Sequence, residues 1–202
     1  MTRIARDSIT AGDIPLQNLQ VVIGYANGAV SAWKSPDWAR FPTELPRAAV
    51  DVNATDLTAD ILDVEKGDAT IADAVAWTAS KLAKPHSYLP IIYVNRDNLT
   101  ALFNAQLTAG HHINVHFKIG IATLDGVTKT VPDMTGVWGV QWKPATSPSG
   151  PGHYDEWIIY DDTWKAPAAP PPAPATLHGV LVELPGGLVS PRSSTDGGTT
   201  WR

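Results

Sequence analysis

The sequence predicts an α/β fold: an irregular (β/α) TIM-like barrel followed by a Pro-rich linker and a short C-terminal β-hairpin. Three observations carry this expectation. Short apolar runs alternate with helical patterns between residues 19 and 164, which is the signature of βα units around a parallel sheet. Most of those runs are apolar throughout and end on a polar residue, as strands covered on both faces do. The chain has 202 residues, 44% hydrophobic and 17% charged, enough for one core and an appendage but not for two full domains. The boundaries that follow are 1–165 for the barrel, 166–176 for the linker and 177–202 for the tail.

In chain order, strands are expected at 21–25, 48–52, 60–65, 90–95, 114–122, 136–142 and 154–160. The helices between them carry start and stop signals. Ser35-Pro36-Asp37 offers an N-cap, a proline at the first helical position and an acid in the first turn. Thr70 and Asp73 have capping-box spacing ahead of Ala74, Val75 and Leu82. Leu99, Leu102, Phe103 and Leu107 recur at helical spacing, with Gly110 as the stop. Helical patterning thins after that point, so the barrel should be irregular on that side.

The alanine and proline run at 166–175 reads as a stiff polyproline spacer. Beyond it, Val180-Leu181-Val182-Glu183 and a Gly186-Gly187 turn suggest a hairpin too small to fold without a partner surface. The segment Ser194-Thr195-Asp196-Gly197-Gly198-Thr199-Thr200-Trp201 matches the Asp-box pattern Ser-x-Asp-x-Gly-x-Thr-Trp and reads as a folded turn within that tail.

Composition excludes several functions. A net charge of -5 and a pI near 5.6 give no basic field for nucleic-acid phosphates or anionic lipid. The absence of cysteine removes disulfides, thiolate catalysis and cysteine-based zinc sites. Residues 1–17 carry Arg3, Arg6, Asp7 and Asp13 and no apolar run for a secretory signal or a membrane span, so a virion or extracellular location would be reached by assembly or lysis, and the protein would otherwise stay cytoplasmic until lysis. No Gly-rich phosphate loop, nucleophile elbow or His-Glu-x-x-His pattern occurs.

The chemistry is expected at the C-terminal strand ends. Asp63 and Glu65 stand two apart on one strand, so both point to the same face about 6.5 to 7 Å apart along it. Two such carboxylates resist ionising together, which keeps a proton available on one while the other stays charged. Asp51 ends the preceding strand, and Tyr93 and Asn95 end the following one, on the same rim. Gln141, Trp142 and Asp155 would add a hydrogen-bonding and stacking wall of the kind sugars use. Trp138 and Trp157 fit core packing with satisfied indole donors. His112, Asn114 and His116 alternate along an expected strand, but two histidines without a third placed ligand are weak evidence for a metal.

With Gly24-Tyr25, Asp51, Asp63-Val64-Glu65, Pro90-Ile91-Ile92-Tyr93, Gly139-Val140-Gln141-Trp142 and His153-Tyr154-Asp155 in this order, the chain resembles the family 25 lysozyme-like muramidases. It is most similar to their glycoside-hydrolase-like relatives in actinobacteria and bacteriophages. The resemblance covers about residues 19–164. It implies a (β/α) barrel, peptidoglycan or a related glycan as ligand, and no metal or cofactor. Glu65 would be the general acid, Asp63 its electrostatic partner, and Asp155 a pocket residue from the last strand. The muramidases carry an acid in the first-strand motif, whereas the stretch matched to it here, Gly24-Tyr25-Ala26-Asn27-Gly28, has none. The expectation is therefore a virion-associated tail or capsid-type protein whose barrel engages cell-wall glycan with weak catalysis or none. An active muramidase is the alternative reading, and a structural component that binds no sugar is a third. The partners expected are cell-wall glycan and, through the tail, other virion proteins, with room for a homo-oligomer.

Overall fold

The computed structural model describes residues 2–28, 32–127, 135–144, 153–161 and 163–165, together with the backbone of 180–183 and 189–192. The chain divides into two units, Met1–Pro167 and Ala168–Arg202. In the first, eight strands close a barrel in chain order: β1 (Arg3–Asp7), β2 (Val21–Tyr25), β3 (Arg47–Asp51), β4 (Ile61–Val64), β5 (Ile91–Asn95), β6 (Lys118–Ala122), β7 (Val137–Lys143) and β8 (Asp155–Ile159). Neighbours from β1 to β7 are parallel. β8 runs antiparallel to both β7 and β1 and so closes the ring.

Sequence reasoning expected seven of these strands and missed β1. Its five residues hold only two apolar side chains, and its arginines make the segment read as a charged leader. Those arginines are buried by distant contacts. Arg3 donates to the carbonyls of Asp161 and Trp164. Arg6 bonds Glu156 at 3.2 Å and the carbonyls of Pro15 and Gln17. Between them, Ala5 is fully buried and pairs with Val21 on one side and Trp157 on the other.

Strand alternation separates two cores. Ile61, Ile91, Tyr93, Trp138, Trp157 and Ile159 pack in one cluster with Ala5, Ile23 and Val50. The intervening residues Leu62, Val64, Ile92 and Val94 join the other, with Trp77 of α2 (Ile71–Leu82) and Leu102 of α3 (Leu99–Thr108), after the short α1 (Ser35–Trp38). α2 starts as its capping box predicts: the Thr70 hydroxyl accepts from the Asp73 amide at 3.2 Å while Asp73 accepts from the Thr70 amide at 2.9 Å. α3 stops before Gly110, whose φ of +80° suits glycine. Ser35 is the first residue of α1 and Lys34 is its N-cap, with the Lys34 amide donating to Asp37 at 2.7 Å. These helices fill the crossovers after β2, β4 and β5; among the described residues none follows β6 or β7.

The strand expected from 114 begins only at Lys118. Asn114 adopts φ +63°, Ile113 bridges to Phe117, and the His112 amide donates to His116 Nδ1 at 2.9 Å, so His112, Asn114 and His116 form a turn rather than one strand face. Among the described residues no helix is long and apolar enough to cross a membrane.

In the second unit, β9 (Val180–Glu183) pairs antiparallel with β10 (Val189–Arg192). The Pro-rich run and the Asp-box segment lie outside the described residues.

Candidate active site

The strand ends converge on one cavity. Asp7, Tyr25, Asp63, Glu65, Tyr93, Gln141, Asp155 and Trp157 line it, with Val50 and Ile61 as apolar walls and Leu124 beside them. Each polar side chain comes from an inward-facing position at the C-terminal end of a parallel strand, or from β8 where the antiparallel strand begins. Its volume is about 100 Å³, the share of roughly three water molecules.

The chain therefore does carry a first-strand carboxylate. The stretch at Gly24 belongs to the second strand; the first ends in Asp7. In the β1–β8 register Asp7 stands directly opposite Asp155, a placement that disfavours two like charges. Trp157 Nε1 donates to Asp7 Oδ1 at 3.1 Å and the Tyr25 hydroxyl to Oδ2 at 3.3 Å. Burial pushes the Asp7 carboxyl up to about 8, the Asp155 charge adds to this, and the bonds from Trp157, Tyr25 and Gln141 oppose it.

Asp63 is 7% exposed, and its Oδ1 has no hydrogen-bond partner. Burial first, then the charges of Glu65, Asp68 and Asp7, push its carboxyl up to about 8. Glu65, one residue past β4, is half-buried; burial raises its carboxyl too, with Tyr93 acting against the shift and Asp68 and Asp155 reinforcing it. Among the described residues no Lys, Arg or His lines the cavity, where four carboxylates meet.

Gln141 is 3% exposed and engaged at both ends of its amide. The Tyr93 hydroxyl donates to Oε1, and Nε2 donates to Asp155 at 2.7 Å. This fixes the amide orientation and makes Tyr93 a donor toward β7. Gly120 leaves room for Trp157: a Cβ there would lie 3.0 Å from the indole. That glycine gave no signal in the sequence, because the ring it admits is 37 residues away.

Of the residues expected at the site, Asp63, Glu65, Tyr93, Gln141 and Asp155 line this cavity, and Asp51, Asn95 and Trp142 do not. Asp51 is fully buried, accepting from Asn27 Nδ2 at 2.8 Å and from the amides of Asn53 and Asp56 at 2.9 and 2.7 Å. It ties down the loop after β3. Asn95 accepts from the Asn98 amide at 3.0 Å and caps the turn leading into α3. Trp142 falls at the irregularity between Gln141 and Lys143 and does not line the cavity. Asp7, Tyr25 and Trp157 are the lining residues that sequence reasoning left out. Among the described residues, no group of three or more His, Asp or Glu side chains is arranged to hold a metal ion.

No protein-family model matches the chain, and no curated protein matches it. Its structure is similar to the crystal structure of the CTP1L endolysin, with a TM-score of 0.50 and 13% sequence identity over 79% of this chain and 67% of that one. At this identity the likeness is one of fold.

Proposed function

We propose that the chain is a glycoside hydrolase of the muramidase type, acting on bacterial cell-wall glycan. The observation that carries this reading is the meeting of Asp7, Asp63, Glu65 and Asp155 around one cavity. Such a cluster is costly to hold and stabilises nothing by itself, whereas it suits a reaction that moves a proton and develops positive charge on a sugar. Asp7 supplies the first-strand acid that the resemblance to family 25 muramidases calls for.

Glu65, the more exposed of the β4 pair, is the general acid that protonates the leaving glycosidic oxygen. Asp63 is its electrostatic partner, facing the ring where cationic character grows. The Glu65 charge makes Asp63 harder to ionise, and a single proton on the pair is the working state. Tyr93, clamped by Gln141, steadies Glu65. Burial and the neighbouring Asp155 charge favour a second proton, on Asp7.

The test is hydrolysis of peptidoglycan and of chitooligosaccharides by the wild type and by Glu65→Gln. Turnover that the substitution abolishes supports the reading; no turnover on either substrate by a folded wild type overturns it. The cavity's size favours a second reading. A small, partly open cavity of about 100 Å³ suits a virion-associated adhesion module that holds glycan across its mouth with little catalysis. Glycan binding by calorimetry without product release selects that reading, and attachment to other virion proteins through the second unit belongs with it.

A further inference from the structure

At the opposite end of the barrel lies a larger cavity of about 450 Å³, lined by Lys81, Lys84, Lys165, Asp60, His86 and Tyr88 among others. It sits where Asp60 leads into β4, against the C-terminal end of α2 and the loop from Lys84 to Tyr88 that leads toward β5. Three lysines face one carboxylate there, in a chain whose net charge is -5.

Two of the ammonium groups are held in place. Lys81 Nζ donates to the carbonyls of Leu57, at 3.1 Å, and Ala59, and lies 5.1 Å from the Trp77 ring centroid. Lys165 Nζ lies 2.6 Å from Asp60 and donates to the Arg47 carbonyl at 2.8 Å, 5.0 Å from the Trp164 ring centroid. An ammonium has three donors, so each retains one N–H. Lys84 is exposed and has no partner among the described residues. Lysines near a helix C-terminus commonly complement its dipole, but Lys81 bonds the β3–β4 loop instead of α2, and Lys165 belongs to another part of the chain. Burial holds Lys81 below the ordinary lysine range, and the charges of Lys165 and Lys84 act in the same direction against Asp60 and Asp56. An anion between the three lysines would relieve that repulsion.

Tyr88 borders the same groove, 41% exposed, with its ring 6.1 Å from that of Trp164. A supported, exposed aromatic ring offers an apolar face for the C–H side of a sugar. We propose that this groove binds a phosphate group carried on a sugar, with the phosphate among Lys81, Lys84 and Lys165 and the sugar against Tyr88. The site is separate from the carboxylate cavity and does not rest on the hydrolase reading.

The test is titration of the full chain with glucose 6-phosphate, inorganic phosphate and glucose at ionic strength matched with sodium chloride, followed by NMR or calorimetry. The expected result is saturable binding of glucose 6-phosphate with a dissociation constant near 1 mM or below. It should weaken about tenfold in Lys84→Glu, an exposed position whose substitution leaves the fold intact, and by a smaller factor in Tyr88→Ala. No response beyond that of chloride, or the same affinity in Lys84→Glu, overturns the site. Equal affinity for inorganic phosphate and glucose 6-phosphate, unchanged by Tyr88→Ala, overturns the sugar phosphate as its ligand.

Discussion

The two ends of the barrel treat charge in opposite ways. Around β4's C-terminal end, Asp7, Asp63, Glu65 and Asp155 stand together with no cation lining their cavity among the described residues, and burial drives the Asp7 and Asp63 carboxyls up to about 8. At the other end, acids are matched: Asp161 pairs with Lys118, and Asp60 with Lys165. Burial alone would raise Asp161, but hydrogen bonds from Lys118 and Thr163 and the Lys118 charge outweigh it and hold its carboxyl below the usual range. The paired acids hold the scaffold together. Asp7 and Asp63, whose ionised forms burial disfavours, oppose it, and that asymmetry marks the end where chemistry is to be sought.

The comparison can be broken at either end. Glu65→Gln should lower glycan hydrolysis by at least about 100-fold, the lower range for removing a general acid, while leaving the melting temperature unchanged or higher. A variant that loses activity by unfolding would show that Glu65 is structural after all. Asp161→Ala should cost about 2 kcal/mol at pH 7, measured by denaturant unfolding, because Lys118 loses its partner and the Thr163 and Trp164 amides lose their acceptor. A neutral outcome there would erase the contrast.

Two smaller effects sharpen it. Carboxyls raised from 3.8 to about 8 bind a proton more tightly folded than unfolded. Their protonated form is fully accommodated below pH 4, and stability is lost as pH rises from about 4 through 8. Asp63→Asn should therefore raise the melting temperature by several degrees at pH 8 and by little at pH 4, and a pH-independent change would refute the burial argument. The alkaline limit of any hydrolysis is set by the Glu65 proton, which burial holds on above the ordinary carboxyl range. The smallest change is expected for Lys165→Ala: this pair is partly exposed and Asp60 keeps its bond to the Ala49 amide at 2.9 Å, so the loss should stay within about 1 kcal/mol by thermal unfolding.

What could be read in advance follows from where the information lies. Seven strands, the Thr70 cap and the Asp63 and Glu65 pair are written in local patterns of period two, cap spacing and strand-end polarity. β1 is not, because Arg3 and, with help from Pro15 and Gln17, Arg6 become buried through groups about 150 residues away. Missing β1 shifted the strand count by one and hid Asp7, so the carboxylate at the end of the first strand went unseen. Asp51 misled for a related reason: a polar residue at a strand end can serve its own loop, and its three partners all lie in or beside that loop. Gln141 was placed at the right cavity for a different task, since no local pattern reveals that both ends of its amide are occupied.

The antiparallel β8 also bears on when the protein becomes competent. Asp155 meets Asp7 only once the last strand has slotted between β7 and β1, so the pocket joins the earliest and latest parts of the barrel. Contacts of such long sequence separation form slowly and late. A nascent or truncated chain ending before residue 155 would hold Asp63 and Glu65 yet lack the opposite wall of their cavity.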